Sequence, residues 1–298
     1  MKKINDLIRE YKPNGYKKIK DVILVNTKNN KLIIKKKRNE NNIYEYLNSR
    51  SFRYYPKIIR EDDEYRITEY VREIDYPEEQ KIIDMINLVS LLHSKTTFYK
   101  EVDEDDYKKI YEDISGNIEY LKSYYIDLIT IIENKVYMSP SEYLLARNIS
   151  KIFASLNYCE NELNKWLEIV ENKKKQRFVV LHNNLELDHF IRNNDSYLIS
   201  WDKSKIDIPI FDLYKLYKKY ALVFDFESIL KEYEKNYPLL NEEILLFFIL
   251  VTLPDKIEFI DNEYENTKIV SKKVDIIYKT EKLIEEYFKT KKEYTNNK

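Results

Sequence analysis

The chain has 298 residues, 43% hydrophobic and 35% charged, and these proportions exclude both a disordered chain and a membrane-embedded one. Its 51 lysines and arginines nearly balance its 52 aspartates and glutamates, so the formal net charge of −1 creates no bulk attraction to nucleic acid or anionic lipid. The two glycines exclude a glycine-rich phosphate loop of the Walker A or Rossmann kind, and the single cysteine fits a reducing, cytoplasmic compartment.

Alternating apolar residues predict two β-hairpins near the start of the chain. The four strand-like runs are 21–27, 31–37, 57–61 and 64–70. Turn-prone polar residues separate the two runs of each pair, and residues 39–50 between the hairpins have the pattern of a short amphipathic helix. We therefore expect a β-rich N-terminal lobe over residues 1–72.

Beyond this lobe, apolar residues recur about every 3.6 residues instead of every second residue. This spacing predicts a helical C-terminal lobe over residues 73–290. A first helix should run from near Pro77 to His93. The sequence Ser-Pro-Ser-Glu at 139–142 is a capping box with proline at the first helical position, so a long helix should begin there. The apolar run 244–253 is too short to span a bilayer and is typical of a buried helix.

Three short β-branched or aromatic runs interrupt the helical pattern over 178–201. Helices resume at Asp212, whose carboxylate is a candidate N-cap. The polar tail 291–298 is expected to fray. The first residues lack the continuous apolar core of a signal peptide, which also favours a cytoplasmic protein.

The stretch around this β insert carries the most specific motifs of the chain. LHNNLELDHFI at 181–191 resembles the H-G-D-x-x-x-x-N catalytic loop of the aminoglycoside phosphotransferase and choline kinase superfamily. YLISWDKSKIDIPIFDL at 197–213 resembles that superfamily's I-D-[FW]-[DE] metal strand and its D-x-P-x-x-D-L segment, and its ending is similar to the spore-coat kinase-like branch. The resemblance implies an α+β, bilobal protein-kinase-like fold with a small β-rich N-lobe and a larger helical C-lobe.

The resemblance assigns roles to four positions of this catalytic-loop-like segment, 179–213. The family's loop histidine falls at His182, and the aspartate that orients or deprotonates the acceptor hydroxyl falls at Asn184. The two residues that would bind magnesium fall at His189 and Ser200. An amide cannot take a proton, and magnesium prefers oxygen ligands. The catalytic acid and both metal ligands are therefore expected to be missing.

Phosphoryl transfer depends on positioning and on neutralising charge, and removing one electrostatic contributor commonly costs about 10²–10³ in rate. These losses predict a catalytically degenerate pseudokinase that acts as a binding or assembly protein. It would be located in the cytoplasm or a spore coat, with an unknown protein or small-molecule partner, no nucleic acid and no membrane span. The alternative is an active small-molecule phosphotransferase with a hydroxyl acceptor that uses ATP and Mg²⁺, in which the relocated acids Asp188 and Asp202 hold the metal.

The resemblance also places candidate nucleotide-binding residues in the N-terminal lobe. Lys35 lies where the family's ATP-anchoring strand lysine would be, with Glu45 or Glu40 on the next helix available to pair with it. An equally good interpretation is that Lys35 belongs to the solvated end of a strand. Glu69 and Val71 lie where the family's hinge would be.

Other polar residues have simpler expected roles. His182 is expected to brace the loop through hydrogen bonds rather than to begin a proton relay. Asp207 and Asp212 are expected to be structural, capping a turn and a helix. The 28 tyrosines mostly recur at helical spacing beside charged residues, which predicts rings at the edge of the core rather than a stacking platform for bases.

Overall fold

The computed structural model describes residues 7–19, 22–28, 30–37 and 43–296, with side chains described to residue 289. The chain forms two compact units. The first unit combines Met1–Thr96 with Val180–Ile206, and the second combines Thr97–Val179 with Asp207–Lys298. The division into lobes at residue 72 stays a prediction, because these units are defined by compactness and each contains two separate stretches of chain.

The first unit contains a five-stranded antiparallel sheet with the order β1-β2-β3-β5-β4. Its strands are β1 Gly15–Ile19, β2 Val22–Asn26, β3 Lys31–Lys36, β4 Ile58–Glu61 and β5 Tyr65–Glu69. Both predicted hairpins are confirmed by the pairing of β2 with β3 and of β4 with β5. Strand β1 was not predicted because all five of its residues are exposed, so it lacks an apolar face. Asn29, in the first predicted turn, lies outside the described residues.

One face of this sheet forms the core of the first unit, because alternate residues of a strand point to opposite faces. The core residues are Leu7, Ile8, Ile23, Val25, Leu32, Ile34 and Ile67. Helix α1, Ile43–Ser49, follows β3 and buries Leu47. It corresponds to the predicted helix 39–50, of which residues 39–42 lie outside the described part of the chain.

Helix α2, Glu78–Thr96, confirms the predicted helix and extends three residues beyond His93. The hairpin of β8, Phe190–Arg192, and β9, Ser196–Leu198, belongs to the same unit. The N–H of Leu198 donates to the Tyr54 carbonyl, and the N–H of Ile74 donates to the Arg192 carbonyl, both at 2.9 Å. Arg192 also pairs with Asp84 of α2. The catalytic-loop-like segment is therefore fixed to the rest of the first unit on both strands.

The second unit is mainly helical. Its helices are α3 Glu104–Glu133, α4 Pro140–Val170, α5 Ile210–Tyr220, α6 Phe226–Asn236, α7 Asn241–Thr252 and α8 Glu263–Asn296. Strand β6, Phe98–Glu101, pairs with the beginning of β7, Lys175–Leu181, and β10 is Lys205–Asp207. Helix α4 packs against α3, α7 and α8, so it forms the centre of this unit.

Local sequence explains where the central helices begin and why they are buried. The Ser139 side chain accepts from the N–H of Glu142, and the Glu142 carboxylate accepts from the N–H of Ser139, so the predicted capping box is confirmed. The inner face of α4 is apolar, with Leu145, Ile152, Leu156, Cys159, Leu163 and Trp166. The run predicted as a buried helix is α7. Along the described residues, each helix is too short or too polar to cross a lipid bilayer.

Two predicted boundaries were wrong. Helix α5 begins at Ile210 rather than at Asp212, so Asp212 lies inside the first helical turn and is not the N-cap. Pro209 at the N-cap makes the earlier start possible, because its fixed φ of −57° is already helical. The tail was expected to fray, but the backbone of α8 is helical as far as Asn296.

Candidate functional site

The candidate site lies in the first unit, where the loop after β7 contacts the segment after β9. Three consecutive side chains of this loop donate hydrogen bonds to backbone carbonyls of that segment. They are His182 Nε2 to Ile199 at 2.8 Å, Asn183 Nδ2 to Lys203 at 2.7 Å and Asn184 Nδ2 to Ser200 at 3.3 Å. All three groups act as donors, and a carboxylate could not replace any of them because it only accepts.

His189 makes two further hydrogen bonds within this site. Its Nδ1 donates to the Asn184 carbonyl at 2.7 Å, and its own carbonyl accepts from the N–H of Ile199 at 2.9 Å. The ring nitrogen nearest Asn184 therefore already has a hydrogen-bond acceptor. Asn184 and His189 are held by each other and by the segment that contains Ser200.

The backbone at Ser200 is left-handed, with φ 66° and ψ 52°. Serine has no special preference for this region, which favours glycine, asparagine and aspartate. Residues held in sparsely populated backbone regions cluster at functional sites. Asn183 is also left-handed, with φ 60°, so each of the two contacting segments contains such a residue.

Asp202, in the segment after β9, forms an ion pair with Lys35 of β3. The Lys35 side chain is 26% exposed and that of Asp202 11%, so solvent screens the pair less than it would a surface pair. Lys35 lies on the face of β3 opposite to the buried Leu32 and Ile34. The ion pair therefore connects the outer face of the sheet to the segment after β9.

The side chains at the motif positions differ in the ligands that they could offer a metal ion. Asn184 presents an amide, Ser200 a hydroxyl and His189 an imidazole, and the carboxylate of Asp202 is paired with the Lys35 ammonium. Asp188 is exposed. Among the described residues there is no group of three or more histidine, cysteine, aspartate or glutamate side chains that could hold a metal ion.

An aromatic cluster, Trp201, His182, Tyr44 and Phe52, surrounds the backbone between Ser200 and Asp202. The Trp201 ring is buried and meets His182 edge-on, with ring centroids 4.8 Å apart. It also contacts Phe52 at 6.0 Å and Tyr44 of α1 at 6.5 Å. Its Nε1 donates to the Leu198 carbonyl at 2.9 Å. The packing of this cluster helps to hold the peptide next to Ser200.

The other candidate nucleotide-binding residues lie in the same unit. Lys35 pairs with Asp202 rather than with Glu45. Glu45 is exposed and has no ion pair among the described residues, and Glu40 lies outside them.

The two predicted hinge residues lie at the end of β5 and just after it. Glu69 ends β5, and its carboxylate accepts from the N–H of Lys57 at 3.3 Å. Val71 follows and is half-buried, at the start of an irregular and mostly exposed segment. Nucleotide binding by these residues stays a prediction.

Asp207 and Asp212 belong to the second unit. Asp207 Oδ1 accepts from the N–H of Ile208 at 2.8 Å, which is a local turn contact. Asp212 is fully buried in the first turn of α5, where the helix dipole favours a negative charge.

Comparison with known proteins shows which class of fold the chain has. No family model matches the sequence, and no curated protein matches it significantly. An aminoglycoside phosphotransferase from Alicyclobacillus acidocaldarius has a TM-score of 0.61 at 9% identity, covering 96% of this chain and 93% of that one. The AMP-bound complex of spectinomycin phosphotransferase has a TM-score of 0.51 at 13% identity, covering 95% and 94%. The protein therefore has an α+β fold of the protein-kinase-like class, as predicted.

The complex of the same spectinomycin enzyme with ADP and spectinomycin also matches, with a TM-score of 0.50 at 13% identity, covering 94% of this chain and 98% of that one. At these identities the likeness extends to the fold and not to the chemistry of the site.

Sequence reasoning missed two features of the site. The ion pair of Lys35 with Asp202 joins residues 167 positions apart, and no local pattern signals such a contact. The packing of Tyr44 and Phe52 on Trp201 was also missed, although the density of aromatic residues from Tyr44 to Tyr55 was a visible signal.

Proposed function

We propose that this protein is a catalytically degenerate member of the aminoglycoside phosphotransferase and choline kinase-like superfamily and acts as a binding or assembly protein. The fold supplies the scaffold, and the site residues supply the argument against phosphoryl transfer. The observation that carries the proposal is the ion pair of Lys35 with Asp202. It neutralises the carboxylate of Asp202, at a site where the positions of the family's acid and metal ligands are occupied by Asn184, His189 and Ser200, none of which carries a carboxylate.

The hydrogen bonds of the loop support the same proposal. An aspartate in place of Asn184 would direct a negative oxygen at the Ser200 carbonyl, which now accepts from the amide. The loop is thus built around a donor at the position where a phosphotransferase needs an acid. Such a site can hold a ligand through its shape and hydrogen bonds, but it has no general base at Asn184.

We further propose that the protein belongs to the spore-coat kinase-like branch and is located in the cytoplasm or the spore coat. The support for this is the D-x-P-x-x-D-L segment at 207–213 together with the composition of the chain. A protein or a small molecule is the expected partner, since the balanced charge offers no general attraction for nucleic acid.

The alternative of an active phosphotransferase has weaker support. It requires Asp188 and Asp202 to hold the magnesium that binds the phosphates of ATP. Asp202 is paired with a lysine, and Asp188 is exposed. Magnesium at phosphate sites is bound through one or two carboxylates together with the phosphates, and the Asp202 carboxylate would have to leave Lys35 to take this role.

A phosphotransfer assay tests the proposal. The wild-type chain is incubated with ATP and Mg²⁺, and release of the γ-phosphate is measured. We expect a rate no faster than that of the Asp188→Asn/Asp202→Asn variant, which lacks the acids that the alternative needs. Hydrolysis by the wild type that is lost in this variant would overturn the proposal.

The triple variant Asn184→Asp/His189→Asn/Ser200→Asp provides the complementary arm, because it restores the family's acid and both metal ligands. Gain of Mg²⁺-dependent hydrolysis in a folded triple variant would show that the scaffold still supports the chemistry once those groups return. Thermal unfolding of each variant separates loss of fold from loss of activity.

A further inference from the structure

The turn between α3 and α4 presents an exposed apolar surface, which we name the apolar tip: Ile131, Val136, Tyr137, Met138 and Tyr143. The side chains of Val136 and Tyr137 are each 88% exposed, and Ile131 and Tyr143 are each 60% exposed. Three of the five residues are consecutive in the chain. Exposed apolar side chains that are grouped in this way mark interaction sites more often than isolated ones do.

The apolar tip is held rigidly by its neighbours. Asn134 Nδ2 donates to the Thr130 carbonyl at 2.9 Å, and Lys135 pairs with Glu142 of the capping box. The Glu263 carboxylate of α8 accepts from the N–H of Ser141 at 2.6 Å. The exposed side chains therefore project from a fixed backbone, so little backbone entropy is lost when they bind a partner.

The surroundings of the apolar tip are acidic. Residues 131–143 and the segment 260–268, which Glu263 joins to them, contain five acidic and two basic side chains. Lys135 and Lys268 pair with two of the acids, Glu142 and Glu265. The local charge of −3 contrasts with the net charge of −1 for the whole chain. An acidic rim repels anionic lipid and nucleic acid and attracts a basic surface.

The chain itself contains a basic surface with matching properties. Strand β1 lies at the edge of its sheet, and its residues Tyr16 and Ile19 are 60% and 48% exposed. Residues 12–19, which we name the basic edge, contain three lysines and no acid. Lysines on an edge strand oppose pairing of two like edges. They do not oppose contact with an acidic, apolar surface of another molecule.

We propose that the apolar tip of one copy docks on the basic edge of a second copy. This inference specifies the assembly role proposed above and rests on it. The contact is heterologous, because it joins two different surfaces, and each docked pair leaves one apolar tip and one basic edge available for further copies. Tyr137 is the expected anchor, since tyrosine is enriched among the residues that dominate binding energy.

Sedimentation velocity of the full chain tests this, from about 1 µM to about 1 mM, which brackets weak and moderate association. At low salt the weight-average mass should rise with concentration beyond twice the monomer mass, and added salt should reverse the rise. The tip variant Val136→Ser/Tyr137→Ser and the edge variant Lys17→Glu/Lys18→Glu should each remain monomeric. The control variant Tyr99→Ser, which removes a tyrosine that is also 60% exposed, should associate as the wild type does.

Mixing the two variants gives the decisive result. The tip variant keeps an intact basic edge and the edge variant keeps an intact apolar tip, so an equimolar mixture should form a species of twice the monomer mass that does not grow further. Adding Glu133→Lys/Asp261→Lys to a wild-type edge background should weaken association, and the same substitutions should restore binding to the edge variant.

Several outcomes would overturn the proposal. A wild-type chain that stays monomeric over the whole range would do so, as would variants that associate like the wild type or a mixture that remains monomeric. Binding of the wild type to phosphatidylcholine vesicles that is lost in the tip variant would assign the apolar tip to a lipid surface instead. A monomeric wild type would leave the phosphotransfer assay unaffected, so failure of this inference and failure of the proposed function are distinguishable.

Discussion

Ser200 has a left-handed backbone without a side chain that favours it. Replacing it with glycine should stabilise the protein by about 1 kcal/mol, because glycine adopts this region without steric cost. Urea unfolding of Ser200→Gly measures the change. Ser204→Gly is the matched control, because Ser204 has an extended backbone with φ −60° and glycine there should destabilise. If both variants lose stability, the left-handed conformation at Ser200 is not costly.

Asn184 acts as a donor, and this determines how the loop responds to substitution. Asn184→Ala loses one hydrogen bond, at a cost of about 1 kcal/mol. Asn184→Asp loses the same bond and adds a carboxylate facing the Ser200 carbonyl, so it should be the less stable variant. Thermal unfolding at neutral pH should therefore rank asparagine first, alanine second and aspartate last. A more stable aspartate than alanine variant would mean that the loop still accommodates an acid.

Lys35 and Asp202 should contribute to stability as a pair. Removing either partner leaves the other charge partly buried and unpaired, which should cost about 1–3 kcal/mol. The double variant Lys35→Met/Asp202→Asn should then lose less stability than the two single variants together. A double-mutant cycle by urea unfolding measures this coupling. Additive losses would show that the two side chains do not interact in solution.

At the scale of elements, Arg66 connects β5 to β4 and to α1. Its guanidinium hydrogen-bonds Glu61 at 3.0 Å and lies 4.1 Å from the centroid of the Tyr44 ring. The hydrogen bond from Arg66 holds the pKa of Glu61 below its ordinary value, and Lys37 adds to this effect. Arg66 thus links the Tyr44 ring of α1 electrostatically to Glu61 at the edge of the sheet.

The lowered pKa of Glu61 predicts a pH dependence. A carboxyl group whose folded pKa is lowered contributes stability above its unfolded pKa, and this contribution is lost as the pH falls through the folded pKa. The wild type should therefore exceed Glu61→Gln in stability at neutral pH, and the two should converge in acid. Chemical unfolding at several pH values tests this. A constant difference at every pH would contradict the role assigned to the ionised carboxylate.

The sequence predicted some elements well and others not at all, for physical reasons. The hairpin of β2 and β3 has a buried face that leaves an alternating pattern, and the capping box at Ser139 is a local hydrogen-bond motif. Strand β1 has no buried face, and the start of α5 was misplaced because a carboxylate within the first turn resembles one at the N-cap.

At the scale of the whole molecule, the α+β kinase-like fold could be predicted because its motif segment is contiguous in the sequence. The contacts that the site residues make with each other could not be predicted in the same way. The sequence predicted that Asn184, His189 and Ser200 replace the family's acid and metal ligands, and it left Asp202 as a candidate metal ligand. The ion pair of Asp202 with Lys35 has no local signal in the sequence. Partners across long sequence separations are decided by tertiary structure.

The proposed function implies that this protein does not use magnesium to act on a nucleotide. A thermal-shift titration with ATP and with ADP, each with and without Mg²⁺, tests it most directly, because a ligand that binds only the folded state raises the melting temperature. We expect any rise to be the same with and without the metal. A rise that requires Mg²⁺ would contradict the account, since it would show that other groups have replaced the missing carboxylates.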